Sequence, residues 1–283
     1  EAKRRRPVTR VVLKATDPAQ EKVDLLALLL FEGDKPEAKL DEATGGKAAR
    51  AVRLGDFKGK LRQTAMFYGD DGKAGRVLLV GLGPRKGATA ERVRRAAGTA
   101  TAEARRLELK RVGIVLPPSL PQGLHQAGLA AAAAEAVVLA DYGFDRHKGG
   151  DAKKARAELT ADVFAGKDAQ AAVDRAIAVA QGANLARDLA NEPSNKMTPT
   201  LMANAAREAG RSAGFKVKVL EPDEMKRLGM NALLAIAQGS HEPARLIQME
   251  YAPKGAKAPK AGTVVVVGKG ITFDTGGISI KPS

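Results

Sequence analysis

Short apolar runs and helical periodicities succeed one another along the chain. Residues 8–13, 25–31 and 76–80 are apolar stretches bounded by charged or turn residues, which predicts strands; the third runs into the turn Gly81-Leu82-Gly83-Pro84. Residues 90–107 then place Ala, Val and Leu at helical spacing, residues 111–116 read as a strand, and Pro117-Pro118 separates it from a helix over about 121–140. Strand, helix, strand, helix in this order implies a mostly parallel sheet and an α/β fold. A polar, glycine-bearing stretch at 149–154 follows, then an apolar segment at 161–164 and an Ala-rich helix over 168–190, with Asp168 as its N-cap and Pro193 ending it. Beyond lie a predicted helix at 200–209, a strand at 216–220, a short helix at 224–228, a strand at 245–251 and a fully buried strand at 263–267. The expected organisation is an amino-terminal α/β domain with a mixed or parallel sheet over residues 1–166, a linker helix and hinge over 167–195, and the start of a second α/β domain over 196–283.

Composition narrows this picture. The 283 residues are 44% hydrophobic but only 4% aromatic, without Trp, so Ala, Val, Leu and Ile must build the core. With no Cys, disulfides, thiolate metal sites and cysteine nucleophiles are all excluded, and a reducing compartment, the cytoplasm, is the expectation. Residues 128–140 are the most apolar stretch, too short for the ~20 residues a bilayer span requires, so no membrane segment is expected, and no signal peptide is recognised. The formal net charge is +15 and its excess sits early: 31 Lys and Arg against 20 Asp and Glu up to Thr160, and 16 against 12 after it. Such a domain attracts polyanions, although scattered cations on solvated helix faces account for most of the excess.

Several local patterns imitate chemistry. Gly81-Leu82-Gly83 with Gly87 follows a strand and precedes a helix, as a dinucleotide fingerprint does, but the spacing is one residue too long and Pro84 lacks an N–H. Gly210-Arg211-Ser212-Ala213-Gly214 has the letters of a nucleophile elbow with the elements reversed, helix in and strand out, so its glycines read as a helix stop. His125, His147 and His241 are far apart and make no imidazole zinc motif. Gly268-Lys269 lacks the upstream glycine and the following Ser or Thr of a phosphate loop.

The informative run is residues 264–283, in which four valines lead into Gly268-Lys269-Gly270-Ile271-Thr272-Phe273-Asp274-Thr275-Gly276-Gly277-Ile278-Ser279-Ile280-Lys281-Pro282-Ser283. Two lysines and a carboxylate among glycines, at the carboxyl end of a predicted buried strand, stand where ligands bind in open α/β sheets. On chemistry alone, a sheet-edge loop with solvated lysines accounts for the run equally well. The run nevertheless resembles the signature of the leucyl aminopeptidase (cytosol aminopeptidase) family. Two upstream stretches are similar to it as well, in the right order: Asn184-Leu185-Ala186-Arg187-Asp188-Leu189-Ala190-Asn191-Glu192-Pro193-Ser194-Asn195 and Gly229-Met230-Asn231-Ala232-Leu233-Leu234-Ala235-Ile236-Ala237-Gln238-Gly239-Ser240.

The resemblance implies that residues 196–283 are an incomplete metallopeptidase catalytic domain. It implies that Lys269 ligates one metal ion as a neutral amine, that Asp274 bridges a pair of divalent ions, zinc or manganese, and that Lys281 polarises the scissile carbonyl. It further implies removal of amino-terminal residues, leucine-like ones preferred, from peptide substrates, by a homohexamer. The family's remaining acidic ligands come after the position of Ser283, so these residues alone are expected to be inactive. DNA binding by the basic amino-terminal domain, with or without peptidase activity, is the alternative.

Overall fold

The structure, a computed structural model, describes residues 9–69, 74–149, 157–252 and 262–273. Two compact units divide between Ala186 and Arg187, within one long helix.

The first unit is a three-layer α/β sandwich. Its sheet has six strands: β1 (Arg10–Lys14), β2 (Leu25–Leu30), β3 (Thr64–Tyr68), β4 (Arg76–Gly81), β5 (Arg111–Val115) and β6 (Thr160–Phe164), in spatial order β1-β6-β5-β2-β4-β3. All pair in parallel except β3, which runs antiparallel to β4 at the edge. β2 is buried at every position, as a central parallel strand covered on both faces must be. Its period of two divides the core. Leu25, Ala27 and Leu29 belong to the layer of α3 (Ala90–Arg106) and α4 (Gln126–Ala140). Leu26, Leu28 and Leu30 belong to the opposite layer, with Leu40 of α1 (Ala38–Asp41) and Ala48 of α2 (Lys47–Leu54).

Helix α4 is apolar nearly all round because it lies inside this unit, and among the described residues no helix is long and apolar enough to cross a membrane. Arg105 of α3 ties the two helices together through a near-buried fork onto Asp141, with Nη2 at 2.7 Å from Oδ2, and it also donates to the Ala157 carbonyl at 2.6 Å. The turn after β4 is fixed by close approach. A side chain at Gly81 would put its Cβ 2.0 Å from the Lys60 carbonyl oxygen, so only glycine fits there.

Helix α5 (Gln170–Asn191) leads out of this unit, preceded by a tight turn at Lys167–Ala169. Asp168 therefore sits inside that turn instead of capping the helix as expected; the chain tightens into a 3₁₀ turn before the α-helical bonding begins.

The second unit contains α6 (Pro199–Ala213), β7 (Lys216–Leu220), α7 (Pro222–Arg227), α8 (Asn231–Ala237) and β8 (Leu246–Glu250), with β7 and β8 paired antiparallel. Thr198 caps α6, its hydroxyl accepting the Leu201 N–H at 3.3 Å, and Pro199 opens the helix, where its missing N–H costs nothing. The described core here is small: Leu220, Met225 and Ala244, with Leu233, Leu234 and Leu246 packed on it. Helices α1, α2 and α8 and strand β3 are not expected from the sequence pattern. Each is short, and β3 is an edge strand of mixed polarity whose helix-neutral residues gain strand geometry only by pairing with β4.

Candidate functional site

The described part of the run carrying the sequence signature is open. Residues 262–273 have no regular secondary structure, and Lys269 is exposed between Gly268 and Gly270, around which a built Cβ meets nothing within 4 Å. The fully buried strand expected at 263–267 is not formed: Val264 to Val267 are 76–91% exposed. An apolar run becomes an interior strand only when neighbours supply ladder bonds and cover both faces, and among the described residues no strand pairs with this one. Asp274 and Lys281 lie outside the described residues. Of the three predicted site residues, only Lys269 can thus be placed, and it makes no ion pair among the described residues.

The other two signature stretches have definite structure. Residues 184–195 are the carboxyl end of α5 and the turn after it, where the N–H groups of Lys196 and Met197 donate to the Pro193 carbonyl at 2.8 and 2.9 Å. Residues 229–240 are α8 with its flanking turns, held on the Met225 and Leu220 core by Leu233 and Leu234. Charged pairs brace this fold from outside, Arg245 with Glu221 at 2.8 Å and Lys218 with Glu224 at 2.9 Å.

The imitations resolve as the spacing indicates. In the turn Gly81-Leu82-Gly83 every N–H is committed to the protein: Gly81 donates to Gln63 at 2.8 Å, Leu82 to Leu30 at 2.8 Å and Gly83 to Gly59 at 2.8 Å. No donor is left for a pyrophosphate. Ser212 is on α6, its hydroxyl bonded to the Ala209 carbonyl at 3.0 Å, in helix rather than at a strand-to-helix turn. His125 and His147 are in the first unit and His241 in the second, and among the described residues no three His, Cys, Asp or Glu side chains converge on a metal position.

The first unit's sheet has its topological switch between β2 and β5, whose connections leave on opposite faces, and a ligand crevice belongs at the carboxyl ends of these strands. That crevice, walled by Leu30, Pro36, Leu40, Val115, Leu116 and Pro118, has a volume of about 10 Å³, room for about one water. It is filled by its own side chains.

Several arginines of the basic first unit are paired among the described residues. Arg94 reaches Glu91 and Glu135 at 2.6 and 2.9 Å, Arg95 reaches Glu91 at 2.8 Å, Arg106 reaches Glu103 at 2.6 Å and Arg111 reaches Asp162 at 2.7 Å. Hydrogen bonds from Arg95 and then Arg94 hold the Glu91 carboxyl below the usual range, and Arg106 does the same to Glu103. These cations serve α3 and its neighbours before any polyanion. Grouping cations by nearness along the chain does not join Lys22 and Arg76 to Lys110; the available signal was Lys22 three residues before β2, Arg76 at the head of β4 and Lys110 directly before β5.

Comparison with known proteins accounts for the arrangement. Residues 27–151 match the model of the cytosol aminopeptidase family's N-terminal domain, and residues 184–283 match that family's catalytic domain. A probable cytosol aminopeptidase of Roseiflexus castenholzii is 38% identical over 280 residues, covering 97% of this chain and 55% of that protein. One from an Acidovorax species is 39% identical over 266 residues, covering 94% and 51%. Among solved structures, a lysine-to-glutamate mutant of tomato leucine aminopeptidase superposes with a TM-score of 0.83 at 26% identity, covering 98% of this chain and 57% of that one. The bottromycin maturation enzyme BotP in complex with Mn does so at 0.67 and 29%, covering 82% and 46%. The chain spans about half the length of the curated relatives it matches. By these matches, which together take in most of both units, the chain belongs to the cytosol aminopeptidase family.

Proposed function

We propose that the chain contributes Lys269, Asp274 and Lys281 to a metal-dependent aminopeptidase that removes amino-terminal residues, leucine-like ones preferred, from peptides. The observation that carries this reading is the catalytic-domain match over residues 184–283, which takes in the whole lysine, aspartate, lysine run. Lys269 suits a ligand's part: its amine is exposed, free of any ion pair among the described residues, and flanked by glycines that let a bound group approach the backbone. A carboxylate five residues on supplies the hard oxygen donor that divalent zinc or manganese takes alongside nitrogen. When bound, a pair of such ions supplies Lewis acidity at the scissile carbonyl and lowers the pKa of a water. Lys269 and Asp274 would hold such ions, and Lys281 would donate to the oxygen that becomes negative in the tetrahedral intermediate. The manganese in the BotP structure supports the choice of metal class, and the family resemblance supports a homohexamer. Nucleic acid is the weaker reading, because among the described residues Arg94, Arg95, Arg106 and Arg111 of the basic amino-terminal domain are paired with nearby carboxylates.

The test is hydrolysis of leucine p-nitroanilide by the intact polypeptide with manganese, with zinc and after chelation. Metal-stimulated cleavage is expected, with Lys281→Ala lowering kcat by about 100-fold or more. Equal turnover by the Lys281→Ala and parent proteins would reject the assignment.

A further inference from the structure

We infer that the amino-terminal edge of the six-stranded sheet holds an anion site, built by Lys22, Arg76, Lys110 and Arg111, for a small molecule carrying a diphosphate or triphosphate group. This edge lies at the opposite end of the strands from the filled crevice and includes none of the peptidase residues. Three adjacent strands create it. β2 lies between β4 and β5, so the residues that enter these strands meet at one place: Lys22 before β2, Arg76 at the head of β4, Lys110 and Arg111 at the head of β5. A concavity of about 470 Å³ opens there, lined also by Val23, Asp24 and Gly75. Gly75 keeps its mouth clear, since a Cβ on it would meet only the Asp24 carbonyl oxygen, at 3.7 Å.

The charges decide the ligand. Among the described residues Asp24 is the one carboxylate lining the concavity, and its Oδ2 is already held by the N–H groups of Lys110 at 2.9 Å and Arg111 at 2.8 Å. Arg111 is tied to Asp162 at 2.7 Å, with Glu21 at 3.8 Å. Lys22, Arg76 and Lys110 have no carboxylate partner among the described residues. Arg76 is the strongest pointer. Its Nε is sealed from solvent without an acceptor, and its guanidinium lies 5.8 Å from the centre of the Tyr68 ring, the residue paired with it across β3 and β4. The side chain as a whole is only half-buried and lines the concavity, so the rest of its guanidinium is open to a ligand oxygen while the Nε has no acceptor of its own.

The carboxyl end of α3 also favours cations here, which by itself accounts for Lys110. It does not account for Arg76, which follows a hairpin, or for Lys22. Among the described residues Lys22, Arg76 and Lys110 outnumber the one carboxylate, Asp24, that lines the cavity with them, and the surplus matches a diphosphate group, whose oxygens Arg and Lys bind with charge-assisted bonds.

The experiment is calorimetric titration of the full chain with inorganic pyrophosphate, then with ADP, at low and raised salt. A single saturable site weakened by salt is expected, with Arg76→Gln and Lys110→Gln each reducing affinity about tenfold or more and Lys269→Ala leaving it unchanged. Tighter binding of ADP than of pyrophosphate would make the source a nucleotide, and equal binding a free diphosphate; both agree with the site. Melting temperatures without ligand guard against misfolding, and the exposed Lys22→Gln and Lys110→Gln carry the test if Arg76→Gln unfolds. No saturable heat at millimolar pyrophosphate, affinity equal in folded variants and parent, or displacement by duplex DNA of a pyrophosphate bound no better than sulfate would each overturn the site.

Discussion

β2 and the valine run after Gly262 are both nearly continuous apolar stretches, and they have opposite fates. Leu25 to Leu30 are each no more than 3% exposed, whereas Val264 to Val267 stand open to solvent. The valines have the stronger intrinsic strand preference. What differs is company: β2 has β4 and β5 bonded on either side, α3 and α4 over one face and α1 and α2 over the other, while residues 262–273 have no paired strand among the described residues. A strand's burial is a property of its neighbours, and sequence pattern reports only its readiness to be buried.

The largest effect expected from this contrast is at two glycines. Gly81→Ala in β4 forces a Cβ against the Lys60 carbonyl oxygen and within 2.7 Å of the Gly59 backbone, where no flexible side chain can give way. A loss of about 3 kcal/mol is expected by urea denaturation. Gly268→Ala, beside Lys269, meets nothing within 4 Å and is expected to change stability by less than about 0.5 kcal/mol. Equal costs at the two positions would mean that the valine segment is packed in solution, and the contrast would break.

A smaller effect separates the helix starts. In the first unit the buried Asp41 accepts the N–H groups of Ala48 at 3.1 Å and Ala49 at 3.0 Å, capping α2 from seven residues upstream. In the second, the cap of α6 is the partly exposed hydroxyl of Thr198. Asp41→Ala removes the acceptor of the half-buried Ala49 N–H and leaves the Ala48 N–H only the Thr44 hydroxyl, at 3.3 Å; it should cost about 2 kcal/mol, against about 1 kcal/mol for Thr198→Ala, where water takes the acceptor's place. Thermal unfolding of the two variants measures the difference, and the reverse order would show that Asp41 is enclosed only weakly.

Legibility followed the same division. The α/β class, β2, β4, β5, α3 and α4 were readable because long periodic segments and an uninterrupted apolar strand leave little choice of partner. Three stretches of signature residues gave the family, and Lys269, Asp274 and Lys281 were named from them, yet nothing local told whether Val264 to Val267 would find neighbours. Asp41 as a remote cap and the cations at the sheet's amino-terminal edge were invisible for a different reason. Both depend on residues distant in sequence, and Arg76 and Lys110 meet only because β2 is inserted between β4 and β5.

The smallest effect concerns how helices stop in the two units. α6 ends at Gly214, with φ of +77° and its N–H on the Gly210 carbonyl at 2.9 Å, the left-handed geometry that glycine adopts freely. α3 ends in similar geometry on a non-glycine: Glu108 has φ of +55°, its N–H reaches the Arg105 carbonyl at 3.1 Å, and the next N–H, of Leu109, reaches the Ala104 carbonyl at 2.9 Å. A left-handed non-glycine residue costs about 1–2 kcal/mol, and the backbone freedom a glycine adds to the unfolded chain returns about half of that. Glu108→Gly should therefore stabilise the protein by about 0.5–1 kcal/mol, and Gly214→Ala should destabilise it by a similar amount, both read as shifts in melting temperature. A loss on Glu108→Gly would mean that the glutamate side chain contributes more than its strained backbone costs.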